Sequence, residues 1–326
     1  MTPVFTGVAR SIGGFAWKAA AEDAGSADYT DIDWGGDRGV WGGGRDASSN
    51  NSNVIDYVSL TSPGDASDFG DLSAGRRGVC GGSSKSRCIF PGGREGASVD
   101  TIEYIVISST GNASDFGNLS AGARNGIAAS SNGTTLIMWG GYPPSGSPIN
   151  NIAYLTIDST SNTSDFGDLS QAEYLKAGAS DDTRAIGFAG YDGSNNLQRI
   201  DYVAFSSTGN AQDFGDITTA TRQGYACSDA NRAVFGGGYE SSITDTIEYI
   251  TTQTTSNATD FGDMSQDRYR GAGTSSGTYG VFGGGDTGSA TNAIDYFTIQ
   301  TTANAQDFGN LTQARNSLGA GAGDPS

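Results

Sequence analysis

The side chains best able to do chemistry in this chain are carboxylates, and they stand at fixed places. An I-(D/E)-Y motif carries Asp56, Glu103, Asp201, Glu248 and Asp295, with Ala153 in the remaining copy. Twelve residues after each motif's Tyr comes the Phe of a D-F-G triplet: Phe69, Phe116, Phe166, Phe214, Phe261 and Phe308. A pair of carboxylates could cleave a glycosidic bond as acid and base. Asp-rich turns such as "GNASDFGNL" (111–119) offer alternate oxygens that suit calcium. A catalytic pair should interrupt a repeat, however, and these acids follow it. Each turn commonly holds two carboxylates, too few for a dedicated calcium site, so the Asp before the Phe is expected to cap a turn through its own backbone. The chain has no His, which removes Ser-His-Asp and Cys-His catalysis, histidine metal sites and the usual general base. The expectation is a protein that is not an enzyme and holds no metal or cofactor.

What positions these residues is a repeat. The D-F-G phenylalanines follow one another at 47, 50, 48, 47 and 47 residues. A period of that length without helical patterning indicates propeller blades. A kinase, by contrast, has one D-F-G, with a glycine-rich loop and a catalytic loop upstream, and neither is here. With 51 Gly and three Lys (Lys18, Lys85, Lys176), the composition speaks against long helices. The third repeat divides into four short segments: "ARNGIAAS" (123–130), small and suited to a crowded centre; apolar "TTLIMWGG" (134–141); "NIAYLTI" (151–157), with β-branched alternation; and an outer edge through "SDFGDL" (164–169). Glycine pairs close the second segment at Gly43/Gly44, Gly92/Gly93, Gly140/Gly141, Gly237/Gly238 and Gly284/Gly285, with Ala189-Gly190 as the exception. Lacking a following helix, they read as architecture and not as a phosphate cradle.

The order of apolar strand, Gly-Gly, variable loop, aromatic strand and a further aromatic about 12 residues on resembles the kelch repeat, with the Phe of D-F-G where that family often has Trp. The resemblance covers about residues 36 to 322. It implies an all-β, six-bladed propeller, four strands per blade around a central channel. Galactose oxidase, related in fold, ligates copper partly through His, so its activity does not carry over.

The tail "RNSLGAGAG" (315–323) matches the first segment of a blade and has no second segment after it. It is expected to complete the first blade, carrying the repeat's own Ala314-Arg315, with "DYTDIDW" (28–34) as the rival for that slot. The division is then an N-terminal arm over 1–30, a docking segment, and a propeller over 31–326. The formal charge of −18 would repel a polyphosphate, which speaks against nucleic acid. No segment reads as a secretory signal or a membrane span. Cys80, Cys88 and Cys227 are too few for a disulfide framework and are expected as buried free thiols, although Cys80 and Cys88 could face each other across a hairpin. Without a secretory signal the sequons in several repeats, such as those at Asn112 and Asn257, imply no glycan.

The variable part is the loop after each glycine pair: "RDASSNNSN", "REGASVD", "YPPSGSPIN", "YDGSNNLQ", "YESSITD" and "DTGSATN". Their first residues are Arg45, Arg94, Tyr142, Tyr191, Tyr239 and Asp286, expected together on one face at the channel mouth. Variable loops on a constant scaffold are how binding proteins are built, and Tyr and Arg are the types that dominate hot spots and sugar stacking. The plainer reading is that they pack over neighbouring blade edges. The cadence "IDYVTI-STGNA-DFGDL" resembles arrays in marine bacteriophage structural proteins, cyanophages especially. That resemblance implies a virion protein made in the host cytoplasm. It would be a tail appendage or fibre-associated adhesin in preference to a head-decoration protein, its arm docked on other virion proteins and its ring face on a host-surface glycan or protein. A bacterial cytoplasmic interaction scaffold is the alternative class.

Two expectations concern the scaffold. The six D-F-G phenylalanines should be buried at the ring periphery, each contributing about 1.5–3 kcal/mol. Arg77, Arg124, Arg222, Arg268 and Arg315 lie about 20 residues after the I-(D/E)-Y acids, and the repeat with Ala153 is followed by "QAEYLKAG" (171–178), which lacks this Arg. An unpaired buried charge is costly, so the joint absence predicts five ion pairs: Asp56–Arg77, Glu103–Arg124, Asp201–Arg222, Glu248–Arg268 and Asp295–Arg315.

Overall fold

A computed structural model describes residues 36–323; the expected arm and the rival segment 28–34 lie outside them. Six four-stranded antiparallel sheets stand around an axis as a β-propeller. In blade 3 the strands from axis to rim are Ala128–Ser131, Thr135–Trp139, Asn151–Thr156 and Ser164–Asp168, so the innermost is shorter than the sequence suggests. The tail strand Gly319–Gly323 pairs with Arg38–Gly42 over five residues, from Arg38 opposite Gly323 to Gly42 opposite Gly319. It thereby becomes the inner strand of blade 1 and closes the ring.

The inner strands crowd together, and side-chain size alternates to fit. At one level around the axis stand Ala320, Gly81, Ala129, Gly178, Ala226 and Gly273, blade by blade. A Cβ on Gly81, Gly178 or Gly273 would strike the carbonyl of the preceding blade's Ala. One level further along stand Ser83, Ser131, Ser180, Ser228 and Ser275, with Ala322 in blade 1. Four of the hydroxyls donate to the preceding blade: Ser83 to Ala322 O, Ser131 to Ser83 O, Ser180 to Ser131 O and Ser275 to Ser228 O, at 2.5–2.7 Å. Ser228 Oγ instead accepts the Ser180 N–H at 3.1 Å.

Between blades, large meets small. Phe90 covers Gly42, Phe282 covers Gly236 and Trp41 covers Gly283. The arrangement inverts between blades 3 and 4, where Trp139 lies over Gly187. Phe188 and Phe235 stack between blades 4 and 5, with ring centroids 5.6 Å apart. The interfaces therefore fill their space by more than one division of large and small side chains, as close packing requires.

The rim explains D-F-G. All six phenylalanines are buried, 2–4% exposed, and each meets its blade's I-x-Y tyrosine edge-on at 5.6–6.0 Å. The glycine that follows has φ of +144° to +153°, and a Cβ there would collide with a backbone carbonyl of the neighbouring blade's turn. Only glycine suits both conditions. The turn caps come from a residue three positions before the triplet's Asp. The side chains of Asn112, Asn162, Asn210, Asn257, Asn304 and Asp65 accept backbone N–H groups of the preceding blade's outer strand at 2.9–3.1 Å. The outer strands are thus capped by their neighbours, which protects an otherwise open edge. Asn112, Asn162 and Asn257, which stand in sequons, are part of this belt. Cys80, Cys88 and Cys227 are buried free thiols, and burial pushes Cys80 up to about 12.

The ion pairs form in a different register from the one predicted. Arg76, not Arg77, meets Glu103; Arg268 meets Asp295 at 2.6 Å; Arg315 meets Asp56 at 2.6 Å, across the ring closure. Each arginine sits on the segment leading into a blade and pairs with that blade's own third strand. In blade 4 the arginine position is Glu173, and Lys176 Nζ bridges Glu173 at 2.9 Å and Asp201 at 3.1 Å, with Arg199 joining both. In blade 5 that position is Thr221, and Glu248 accepts the Thr218 N–H at 3.0 Å. In blade 3 Arg124 stands opposite Ala153, so its expected partner Glu103 is taken by Arg76. The joint absence in the sequence was real, but it belonged to two different blades.

Candidate binding face

One end of the channel is ringed by the segments that lead into the inner strands. Gly78, Gly126, Leu175, Gln223, Arg270 and Ser317 occupy equivalent places there and share φ values of 57–64°. Two are glycines; the other four hold a left-handed conformation that their side chains disfavour. What holds them is a closed cycle of backbone hydrogen bonds. Gly126 N donates to Gly78 O, Leu175 N to Gly126 O, Gln223 N to Leu175 O, Arg270 N to Gln223 O, Ser317 N to Arg270 O and Gly78 N to Ser317 O, at 2.5–3.1 Å. Inside this collar lies an axial cavity of about 120 Å³. A second, of about 60 Å³, continues along the axis to the serine level.

The sequence-derived candidates surround the collar. Each forms an antiparallel backbone bridge with the segment entering its own blade: Arg45 with Asn316, and Arg94 with Arg77, Tyr142 with Asn125, Tyr191 with Tyr174, Tyr239 with Arg222 and Asp286 with Tyr269. The six therefore occupy equivalent places, and the side chains of Tyr142, Tyr191, Tyr239 and Asp286 reach the segment entering the next blade, at Tyr174, Arg222, Tyr269 and Asn316. Their exposure differs. Arg94 is exposed, and Arg45, Tyr142, Tyr191 and Tyr239 are half-buried. Asp286 is 9% exposed and accepts hydrogen bonds from Asn316 Nδ2 and Gly288 N at 2.9 Å, which makes it a structural residue.

The bridging partners are the residues that sequence reasoning missed, and they complete a surface. Tyr142 lies 4.8 Å from Tyr174, and Tyr174 lies 5.7 Å from Tyr191. The Arg222 guanidinium sits between two rings, 4.5 Å from the Tyr191 centroid and 4.9 Å from that of Tyr239. Tyr239 meets Tyr269 at 5.6 Å, and Arg270 lies over Tyr269 at 4.6 Å. The result is an arc of five tyrosines and two arginines across blades 3 to 6. Asn196 Oδ1 fixes Arg222 from the side at 2.7 Å, so the arc is preorganised. Opposite it Arg77 donates to Asn51 Oδ1 at 3.2 Å. Burial, then the nearby charges of Arg45, Arg94 and Arg270, holds Arg77 below the usual guanidinium range. The missed residues share one repeat position (Arg77, Asn125, Tyr174, Arg222, Tyr269, Asn316), and its variability was the available signal.

Among the described residues no cluster of three or more His, Cys, Asp or Glu is placed to hold a metal ion, and no helix is long and apolar enough to cross a membrane. No protein-family model matches the chain, and no curated protein matches it.

Proposed function

We propose that the protein is a non-enzymatic recognition propeller of a bacteriophage virion, a tail appendage or fibre-associated adhesin that binds a host-surface glycan with this face. The observation that carries the binding reading is the arc with Arg222 between Tyr191 and Tyr239. Flat aromatic faces suit the C–H faces of sugar rings, phenol and guanidinium edges suit their hydroxyls, and side chains already fixed lose little entropy on binding. The arginines Arg45, Arg77, Arg94 and Arg270 bring positive charge to one face of an otherwise acidic chain, which favours an acidic glycan. The virion assignment draws its support from the repeat cadence and its resemblance to phage structural arrays.

Two measurements test this. The double variant Tyr191→Ala/Tyr239→Ala should lose at least about tenfold in affinity for host surface polysaccharide, the effect of removing one to two stacking contacts, with melting little changed. Equal binding by both proteins would sink the glycan reading. Immunogold labelling of purified phage should mark the tail. Label on the head would replace the adhesin with a decoration protein, and absence of the chain from particles would end the virion reading.

A further inference from the structure

We propose that blade 3 binds a small monovalent anion of chloride size at Arg124, in the space that a carboxylate side chain fills in other blades. The inference comes from comparing one site across the ring. In blades 1, 2 and 6 the guanidinium is held in one way. Nη1 donates to a backbone carbonyl of the third strand, Val54, Thr101 or Ala293, and Nη2 faces the carboxylate of Asp56, Glu103 or Asp295. In blade 3 Arg124 Nη1 reaches the same repeat position, Asn151, at its Oδ1 and 2.9 Å. The guanidinium is thus anchored at the same repeat position, and position 153, where blades 1, 2 and 6 supply the carboxylate, is Ala.

Among the described residues no carboxylate forms an ion pair with Arg124. Arg124 and Ala153 are both fully buried, and Arg124 Nε and Nη2 have no hydrogen-bond partner. The other duty of the missing carboxylate has been taken over. In blades 2, 5 and 6 it accepts the N–H of Ser73, Thr218 or Ser265. In blade 3 the equivalent Ser120 N–H goes to Thr163 Oγ1 at 2.8 Å, and Thr163 stands where the other repeats have Ala66, Ala113, Ala211, Ala258 and Ala305. A neutral hydroxyl satisfies a hydrogen bond but not a cation. Burial pushes Arg124 down to about 10, which still leaves it charged at neutral pH. Nε is also unpartnered in Arg76, Arg268 and Arg315, so what sets blade 3 apart is a buried guanidinium without a carboxylate, which is strongly disfavoured. A chloride-sized ion meets both needs, whereas a water molecule supplies no charge.

Bromide is the probe. Crystals grown in sodium bromide should show an anomalous peak within hydrogen-bonding reach of Arg124 Nη2 and Nε. In solution, melting should be about 2–4 °C higher in sodium chloride or bromide than in sodium gluconate of equal ionic strength. Ala153→Asp should rebuild the carboxylate, remove the peak and abolish the halide difference. A water or empty density at Arg124 in bromide overturns the proposal, whatever the variant does. So does a halide difference that survives in Ala153→Asp, because the ion would then act elsewhere.

Discussion

Three blades hold a complete arginine–carboxylate pair at their base, and three do not. Blades 1, 2 and 6 have Arg315–Asp56, Arg76–Glu103 and Arg268–Asp295. Blade 3 keeps the cation alone, blade 4 turns the arginine position into Glu173 and answers with Lys176 and Arg199, and blade 5 keeps Glu248 alone opposite Thr221. The fold is the same in all six. Charge pairing is therefore not what specifies a blade; backbone geometry and hydrogen-bond satisfaction are. Where a charge disappears, the residues beside it change as a set: Ala153 comes with Thr163 and Asn151, and Glu173 comes with Lys176 and Arg199. Repeats drift by compensated groups of substitutions, not by single ones.

The contrast can be broken first at a complete site. Arg268→Met leaves the Asp295 carboxylate buried, and equilibrium unfolding should report a loss of about 3–5 kcal/mol. Arg124→Met removes a cation that has no carboxylate partner, so denaturation in halide-free buffer should show well under half that loss. A cost equal to that of Arg268→Met would mean the two sites are alike after all. The smallest effect is expected at the lone acid. Burial, outweighing the Thr218 hydrogen bond, holds Glu248 above the usual carboxyl range. The folded state then binds more protons than the unfolded chain between the unfolded value near 4.5 and the raised folded value. Stability from this group is thus present at low pH and lost as pH rises through that window. Glu248→Gln should flatten this decline, and matching pH–stability curves for both proteins would refute it.

The ring was legible because its signals are local and repeated: one Phe per period, a glycine with a fixed neighbour, a tail strand missing its partner. The ion-pair register was not, since nothing in the spacing shows that Arg268 and Arg315 pair with the acid of the blade they enter and not with that of the blade before, and in "GRRG" Arg76 and Arg77 are adjacent and only their orientations decide which is buried. The same one-residue ambiguity placed Arg222 where Thr221 belongs. The collar was hidden for another reason. Leu175, Gln223, Arg270 and Ser317 share one strained backbone conformation with Gly78 and Gly126, and no residue type marks it. The constraint comes from closing a cycle, a property of the assembled ring that no single repeat contains. The tyrosine arc was half visible, because the loops after the glycine pairs supplied Tyr142, Tyr191 and Tyr239, while Tyr174, Arg222 and Tyr269 lie on the connecting segments.

The closure strand has a mechanical consequence. Arg38 lies opposite Gly323 and Gly42 opposite Gly319, so the chain enters Arg38–Gly42 and leaves Gly319–Gly323 at the same end of one antiparallel pair. Tension applied between the two ends would load these hydrogen bonds one after another, as a zipper opens, and never all together in shear. A pull on one end alone, reacted at the tyrosine-arc face of the ring, does not set those two strands against each other. The closure pair therefore gives way most easily when the ring is stretched between Arg38 and Gly323.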